Sequence, residues 1–367
     1  MRRPAALLAA ALLAAPGLAA QPAADYVVLV AAEARDEIAR VRFGPGGTKV
    51  ERTFSIGINP VEPDGPHGIA VAPDGRYYYV TTGHGTPFGS LWKYAAEDDR
   101  LVGRVMLGDF PATLQVSPDG AWVYVVNFAL YAEMGPSSVS VVDAEEMVEV
   151  ARVRTCAMPH GSRFAPGGAK HYSACMMDDL LVEIDTRTLE ISRHFRLTRG
   201  AERGMPGAPA AGHAHPVAED ACSPTWAQPS ADGRRIWVAC SASSELVEID
   251  VAAWTLVRRI PAGEGVYNLA VTGDGRRLVA TNKRGQSVSV FDAASGRELA
   301  RIATRRPVVH GVVVSPDDRY AFVSVEGIGA EPGTVEMIDL RTLRPVVTAE
   351  VGQMAGGIDV LAVEPRR

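Results

Sequence analysis

The stretch PHGIAVAPDGRYYYVTT, residues 66–82, decides how the whole chain is read. GIAVA alternates with a period of two, Pro73-Asp74-Gly75 is turn chemistry, and YYYVTT is a β-branched and aromatic run, so the segment predicts two antiparallel strands around a tight turn. The same signature returns at Pro118-Asp119-Gly120, Pro166-Gly167-Gly168, Ala231-Asp232-Gly233, Gly273-Asp274-Gly275 and Pro316-Asp317-Asp318. Taking the middle residues 74, 119, 167, 232, 274 and 317, the intervals are 45, 48, 65, 42 and 43 residues. Each turn is followed by a strand-like run: WVYVVN, KHYSAC, RIWVAC, RLVATN or YAFVSV. After these come segments such as SVSVVD and SVSVFD, then outer ones such as EVARVRT and LVRRIPA. Every unit therefore predicts four antiparallel strands, A to D.

The chain ends supply a seventh unit. Residues 26–56 read as strands B, C and D with no strand A before them, and GGIDVLAV, residues 356–363, reads as a strand A with nothing after it. Joined, they complete a blade and close a ring, which removes open sheet edges. The expected fold is all-β. It is a seven-bladed β-propeller of four-stranded antiparallel blades, closed by pairing the C-terminal strand with the N-terminal blade, and it forms one domain over residues 21–367.

Residues 1–20 read differently. Arg2 and Arg3 precede the apolar run AALLAAALLAA, and Pro16-Gly17 and Ala19-Ala20 follow it, the three-part pattern of a secretory signal with cleavage near Ala20. The run is too short for a permanent membrane span, and no later segment is long and apolar enough. Across the chain, 37 Lys and Arg stand against 43 Asp and Glu, for a net charge of −6. Removing the leader takes away two Arg, so the mature balance is 35 − 43 = −8. A nucleic-acid surface is not expected on such a chain. The expectation is a monomeric periplasmic or secreted protein whose partner is a small molecule or another periplasmic protein.

In PHGIAVAPDG, VATN and SVSVVD the chain resembles the YVTN-repeat propellers, in register over nearly all of residues 26–363. The resemblance implies the propeller fold and an exported binding or scaffold protein. Its matching residues are turn and core residues, so activity has to be argued from the site.

Propeller topology brings the starts of the A strands and the ends of the B strands to one face, around the mouth of the central channel. Seven residues before each turn's middle residue stand His67, Ala112, His160, Thr225, Tyr267 and His310, with Gly356 equivalent in the closing blade. Three of these follow one formula, His-Gly. His84 joins them from a B–C loop, and His213 and His215 from the long connection before the fifth A strand. Imidazole with the sulfur of Met158, Met176 and their neighbours suits copper better than magnesium or calcium. The candidate metal set is His67, His160, His310 and His84, and the candidate ligand contacts are Tyr267, Glu326, Met158 and Met176. A histidine at the mouth can equally cap the apolar stripe between blades and bond a loop carbonyl. Methionine is more often packing filler than ligand.

Four cysteines in an exported chain predict disulfides. The repeat suggests Cys156–Cys175 and Cys222–Cys240. Cys175–Cys222 with Cys156–Cys240 is the alternative pairing, and free thiolates on copper the alternative chemistry. CAMPH lacks the second cysteine of a haem attachment, and no nucleotide motif, Gly-x-Ser-x-Gly elbow or His-Glu-x-x-His helix is present. Asp178, Asp179 and Glu326 are acids near the mouth. Three classes stay open: a binding or scaffold propeller, a metal-dependent redox enzyme, and a lyase or lactonase. The last follows because PHGIAVAPDG also resembles repeats of the streptogramin lyases, which pair a histidine base with Mg²⁺ and an acid.

Overall fold

A computed structural model describes residues 22–58, 61–84, 89–132, 135–210 and 219–365. The leader and its cleavage site, His213, His215 and Met134 lie outside the described residues. Seven sheets stand in chain order around an axis. Blade one takes strand A from Ala355–Pro365 and its other strands from Ala24–Ala32, Glu37–Gly44 and Gly47–Ser55. Blades two to seven begin at Pro66, Pro111, Pro159, Pro224, Val266 and Val309. The C-terminal strand runs antiparallel to the first, with Val28 opposite Val360 and Tyr26 opposite Val363. That pairing is the predicted closure.

The turn residues act as their chemistry requires. Asp74, Asp119, Asp232 and Asp274 each accept a hydrogen bond from the backbone N–H two residues on. The next residue is a glycine at φ 69–76° in these four turns, and Asp318 takes the left-handed position at 58° in the PDD turn. Apolar layers from facing sheets then pack between blades, as where Tyr26, Phe43, Tyr320 and Phe322 join blades one and seven.

One blade departs from the four-stranded expectation. Blade four carries a fifth strand, Arg203–Pro206, paired outside Glu190–Arg196. It is drawn from the long connection that the 65-residue interval marks, and it covers an otherwise open edge. Gly204 lies so close to blade five that a Cβ there would sit 2.3 Å from the Trp254 carbonyl oxygen.

The inner strands share one geometry. Each A–B pair is bulged just after the first A-strand residue, as between Pro66 and Ile69 or Val309 and Val312. A bulge bends the strand and re-aims its side chains, here at the second position, toward the axis. Hydroxyls then latch neighbouring blades. Thr81 accepts from Gly68 N and donates to Ala112 O, Thr281 accepts from Asn268 N and donates to His310 O, and Ser324 accepts from Gly311 N and donates to Gly356 O. The His-Gly formula follows from this close approach: a Cβ at Gly68 would lie 2.3 Å from Ala112 O, and one at Gly161 would lie 2.4 Å from Thr225 O.

Candidate functional site

The residue before each A strand is left-handed in all seven blades: Gly65, Phe110, Met158, Ser223, Gly265, Val308 and Met354, at φ 47–64°. Its carbonyl accepts the N–H of the first residue after strand B, as in Glu33 N to Met354 O, Phe128 N to Phe110 O, Lys283 N to Gly265 O and Glu326 N to Val308 O. This repeated clamp sets Glu33, Phe128, Met176, Ser241, Lys283 and Glu326 around the mouth. For a β-branched residue such as Val308 it is a sterically costly conformation.

Inside that rim, the three predicted histidines converge. The ring of His67 lies 5.4 Å from that of His310 and 6.2 Å from that of His160. Tyr267 packs between His160 and His310, at 5.1 and 5.0 Å.

Each imidazole has a different task. His160 donates from Nδ1 to the Thr225 carbonyl at 3.0 Å, and its Nε2 accepts the Tyr267 hydroxyl at 2.9 Å. Both nitrogens are used and the ring is buried. Burial, with His67 nearby, pushes its pKa down to about 3, so it is neutral. The inter-blade capping role is the one this side chain fills.

His67 donates from Nδ1 to Glu33 Oε2 at 2.7 Å, and its Nε2 has no partner. His84 donates from Nε2 to the other Glu33 oxygen at 2.6 Å, while its Nδ1 meets the Tyr131 hydroxyl. Burial alone would raise the Glu33 carboxyl, but the two imidazoles outweigh it and hold it below the usual carboxylate range. The bond to Glu33 in turn raises His84, against its burial.

On blades six and seven, Lys283 donates to Glu326 at 2.7 Å and lies 4.5 Å over the Tyr267 ring. His310 Nε2 is 3.9 Å from Glu326, and its Nδ1 has no partner. Burial, together with the Lys283 charge, holds His310 well below its ordinary value. Phe110 and Phe128 form an aromatic wall against His67, His84 and His160.

The mouth therefore joins His67, His84, His160, His310, Tyr267 and Glu326, all expected from the sequence. It also contains Glu33, Lys283, Phe110, Phe128 and Tyr131, which the reading missed. Glu33 and Lys283 were within reach: both stand directly after a B strand, the register that Glu326 occupies.

Met158 and Met176 stay beside a disulfide, joined by a backbone hydrogen bond. The cysteines pair as Cys156–Cys175 and Cys222–Cys240, and none is free, which closes the alternative pairing and the thiolate–copper reading. Bulges set Pro159 and Pro224 opposite Cys175 and Cys240. Asp179 accepts from Cys222 N and Ser223 N, and Asp178 from Ala157 N, so both acids brace loops. Among the described residues, no three His, Cys, Asp or Glu are grouped to hold a metal ion, and His160 has no nitrogen left to offer one. No helix among them is long and apolar enough to cross a membrane.

No protein-family model matches the chain, nor does any curated protein. Solved structures with the same fold include the periplasmic gluconolactonase of Pseudomonas aeruginosa, 18% identical over 92% of this chain and 99% of that one, with a TM-score of 0.70. Hydrazine synthase of Kuenenia stuttgartiensis is 21% identical over 82% of this chain and 91% of that one, at 0.62. A functionally unknown protein of Desulfotomaculum acetoxidans is 12% identical over 91% and 98%, at 0.67. At these identities the likeness is one of fold.

Proposed function

We propose that the chain is an exported YVTN-type propeller that binds a small polyhydroxylated molecule at its channel mouth. One observation carries this reading: the Glu33 carboxylate, shared by His67 and His84, stands on the rim next to Glu326 of the neighbouring blade, itself paired with Lys283, with Phe110 and Phe128 alongside. Convergent fixed polar groups beside aromatic rings are what a concave small-molecule site needs, and they suit alternating hydroxyls and C–H faces. Two disulfides and a leader-like N-terminus support an oxidising, extracytoplasmic setting.

Calorimetric titration of the mature protein, residues 21–367, with glucose and with gluconate tests the reading. Saturable binding that weakens at least about tenfold in Glu33→Gln supports it, the loss of one charge-assisted contact being of that order. Heat of dilution alone with both probes overturns it.

The His67–Glu33 pair favours a second reading, a lactone hydrolase. A carboxylate that fixes Nδ1–H leaves Nε2 as a base, as in hydrolytic triads. Water would give its proton to His67 Nε2 as its oxygen adds to the lactone carbonyl. The ring C–O bond would then break with the leaving oxygen taking that proton back, to give the hydroxy acid and a neutral imidazole. The gluconolactonase with the same fold adds to this reading. Glucono-δ-lactone opening above the spontaneous rate, lost in His67→Ala, supports hydrolysis, and the spontaneous rate alone counts against it.

A further inference from the structure

Below the histidine ring lies a chamber of about 40 Å³, lined by His67 and His310 near the starts of their A strands and by Arg163 further along its own. Water needs roughly 10–15 Å³, so the space holds about three or four water-sized groups. Four of its lining residues carry a polar atom buried without a partner: Trp226 Nε1, Asn268 Oδ1, His310 Nδ1 and His67 Nε2. Buried polar atoms are nearly always paired, and four orphans around one small space point to an occupant. Trp226, Asn268 and His310 are 4–6% exposed.

The electrostatics choose the occupant's sign. Arg163 lies with its guanidinium 4.3 Å over the Trp226 ring, and its one hydrogen bond goes to the adjacent Ser162 carbonyl. Among the described residues it makes no ion pair. Its counter-charge is Asp359, whose oxygens accept the N–H groups of Val71 and Val360. Burial pushes Arg163 down to about 10, so it is still a cation at neutral pH, and burial raises Asp359. The Trp226 indole is a pure donor, a neutral His310 can carry its hydrogen on Nδ1, and the Asn268 amide can turn its NH₂ inward.

We infer that this chamber is a binding site for a small carboxylate-type anion, held by Arg163 and Trp226 below and His310 above. A planar carboxylate matches the guanidinium fork, and the Trp226 face keeps that fork in place. The chemistry has two sources: a free small anion such as formate, or the carboxylate end of a longer molecule lodged in the mouth. The site stands independently of what the mouth binds.

The test is a sodium formate titration of mature protein at constant ionic strength, read by tryptophan fluorescence and thermal midpoint. Arg163→Gln, Trp226→Phe and Asn268→Leu are titrated in parallel, so that one poorly folded variant leaves two others. A saturable response in the native protein, weakened at least about tenfold in the folded variants, is expected. No saturable response, or an equal one in the folded variants, overturns the site, since it leaves only water or a general salt effect. Acetate and gluconate arms identify the source: preference for formate and acetate marks a free anion, and preference for gluconate marks a head group. Glucose, which carries no carboxylate, reads the mouth on the same sample, so either site can fail alone.

Discussion

Tyr267 and His160, from blades six and four, meet across the channel with the phenol donating to Nε2 at 2.9 Å. Because Nδ1 is committed to the Thr225 carbonyl, this single bond satisfies the remaining polar atom of a buried ring. Tyr267→Phe strands that nitrogen, and a buried unsatisfied acceptor costs about 1–3 kcal/mol. The variant is expected to lose stability in that range by urea denaturation. Unchanged stability would show that Nε2 has found another donor.

Acid should weaken the fold through its buried imidazoles. Burial holds both His160 and His171 near pKa 3, whereas the unfolded side chain titrates at about 6.5. Between these values the unfolded chain binds more protons, so stability falls as pH drops from 6.5 toward 3 and is untouched above that window. Each histidine contributes a slope of about 1.4 kcal/mol per pH unit where fully effective. His171 is wedged between Tyr124 and Phe164 with neither ring nitrogen bonded. His171→Phe should therefore flatten the acid limb of the stability–pH curve without loss at pH 7.

The two disulfides close short loops, with separations of 19 and 18 residues. Each constrains the unfolded chain by about 3 kcal/mol in the loop-entropy account. Replacing Cys222 and Cys240 together with serine should lower the denaturant midpoint accordingly. The native protein should show a comparable drop per bridge under a strong reductant.

Gly68 tests the closeness of the inner ring. A methyl group there meets the Ala112 carbonyl at 2.3 Å and the Thr81 hydroxyl at 3.0 Å, so blades two and three would have to part. Gly68→Ala is expected to destabilise by about 1–3 kcal/mol or more, the usual cost of overpacking. Gly46→Ala, at a position with open space around it, is the control that should change little.

At Glu33 the expectation is spectroscopic. The His84 pKa is raised chiefly by its hydrogen bond to Glu33, against burial. Glu33→Gln should lower the His84 titration seen by NMR, and an unmoved midpoint would show that Glu33 does not govern it.

Fold and face were legible in the chain because both are periodic. Turn signals every 42 to 65 residues counted the blades, the unmatched strands at the two ends predicted their own pairing, and one register placed His67, His160 and His310 at the mouth. The register suggested the disulfide partners, and two pairings stood open until the sulfurs were seen to join. The fifth strand of blade four was announced only as a long interval.

What the repeat could not assign was the task of each mouth residue. Three His-Gly dipeptides look alike in the chain, yet His160 ends as a neutral strut, His67 as the partner of a carboxylate, and His310 as a ring with a free nitrogen. Their partners Thr225, Tyr267, Glu33 and Lys283 come from other blades, and Glu326 from the end of the neighbouring strand in His310's own blade. Periodicity is a property of each blade's own backbone, so the chain alone determined the propeller and its mouth. Hydrogen bonding and burial there are set between blades, where residues hundreds of positions apart share one axis, and only the closed ring decided them.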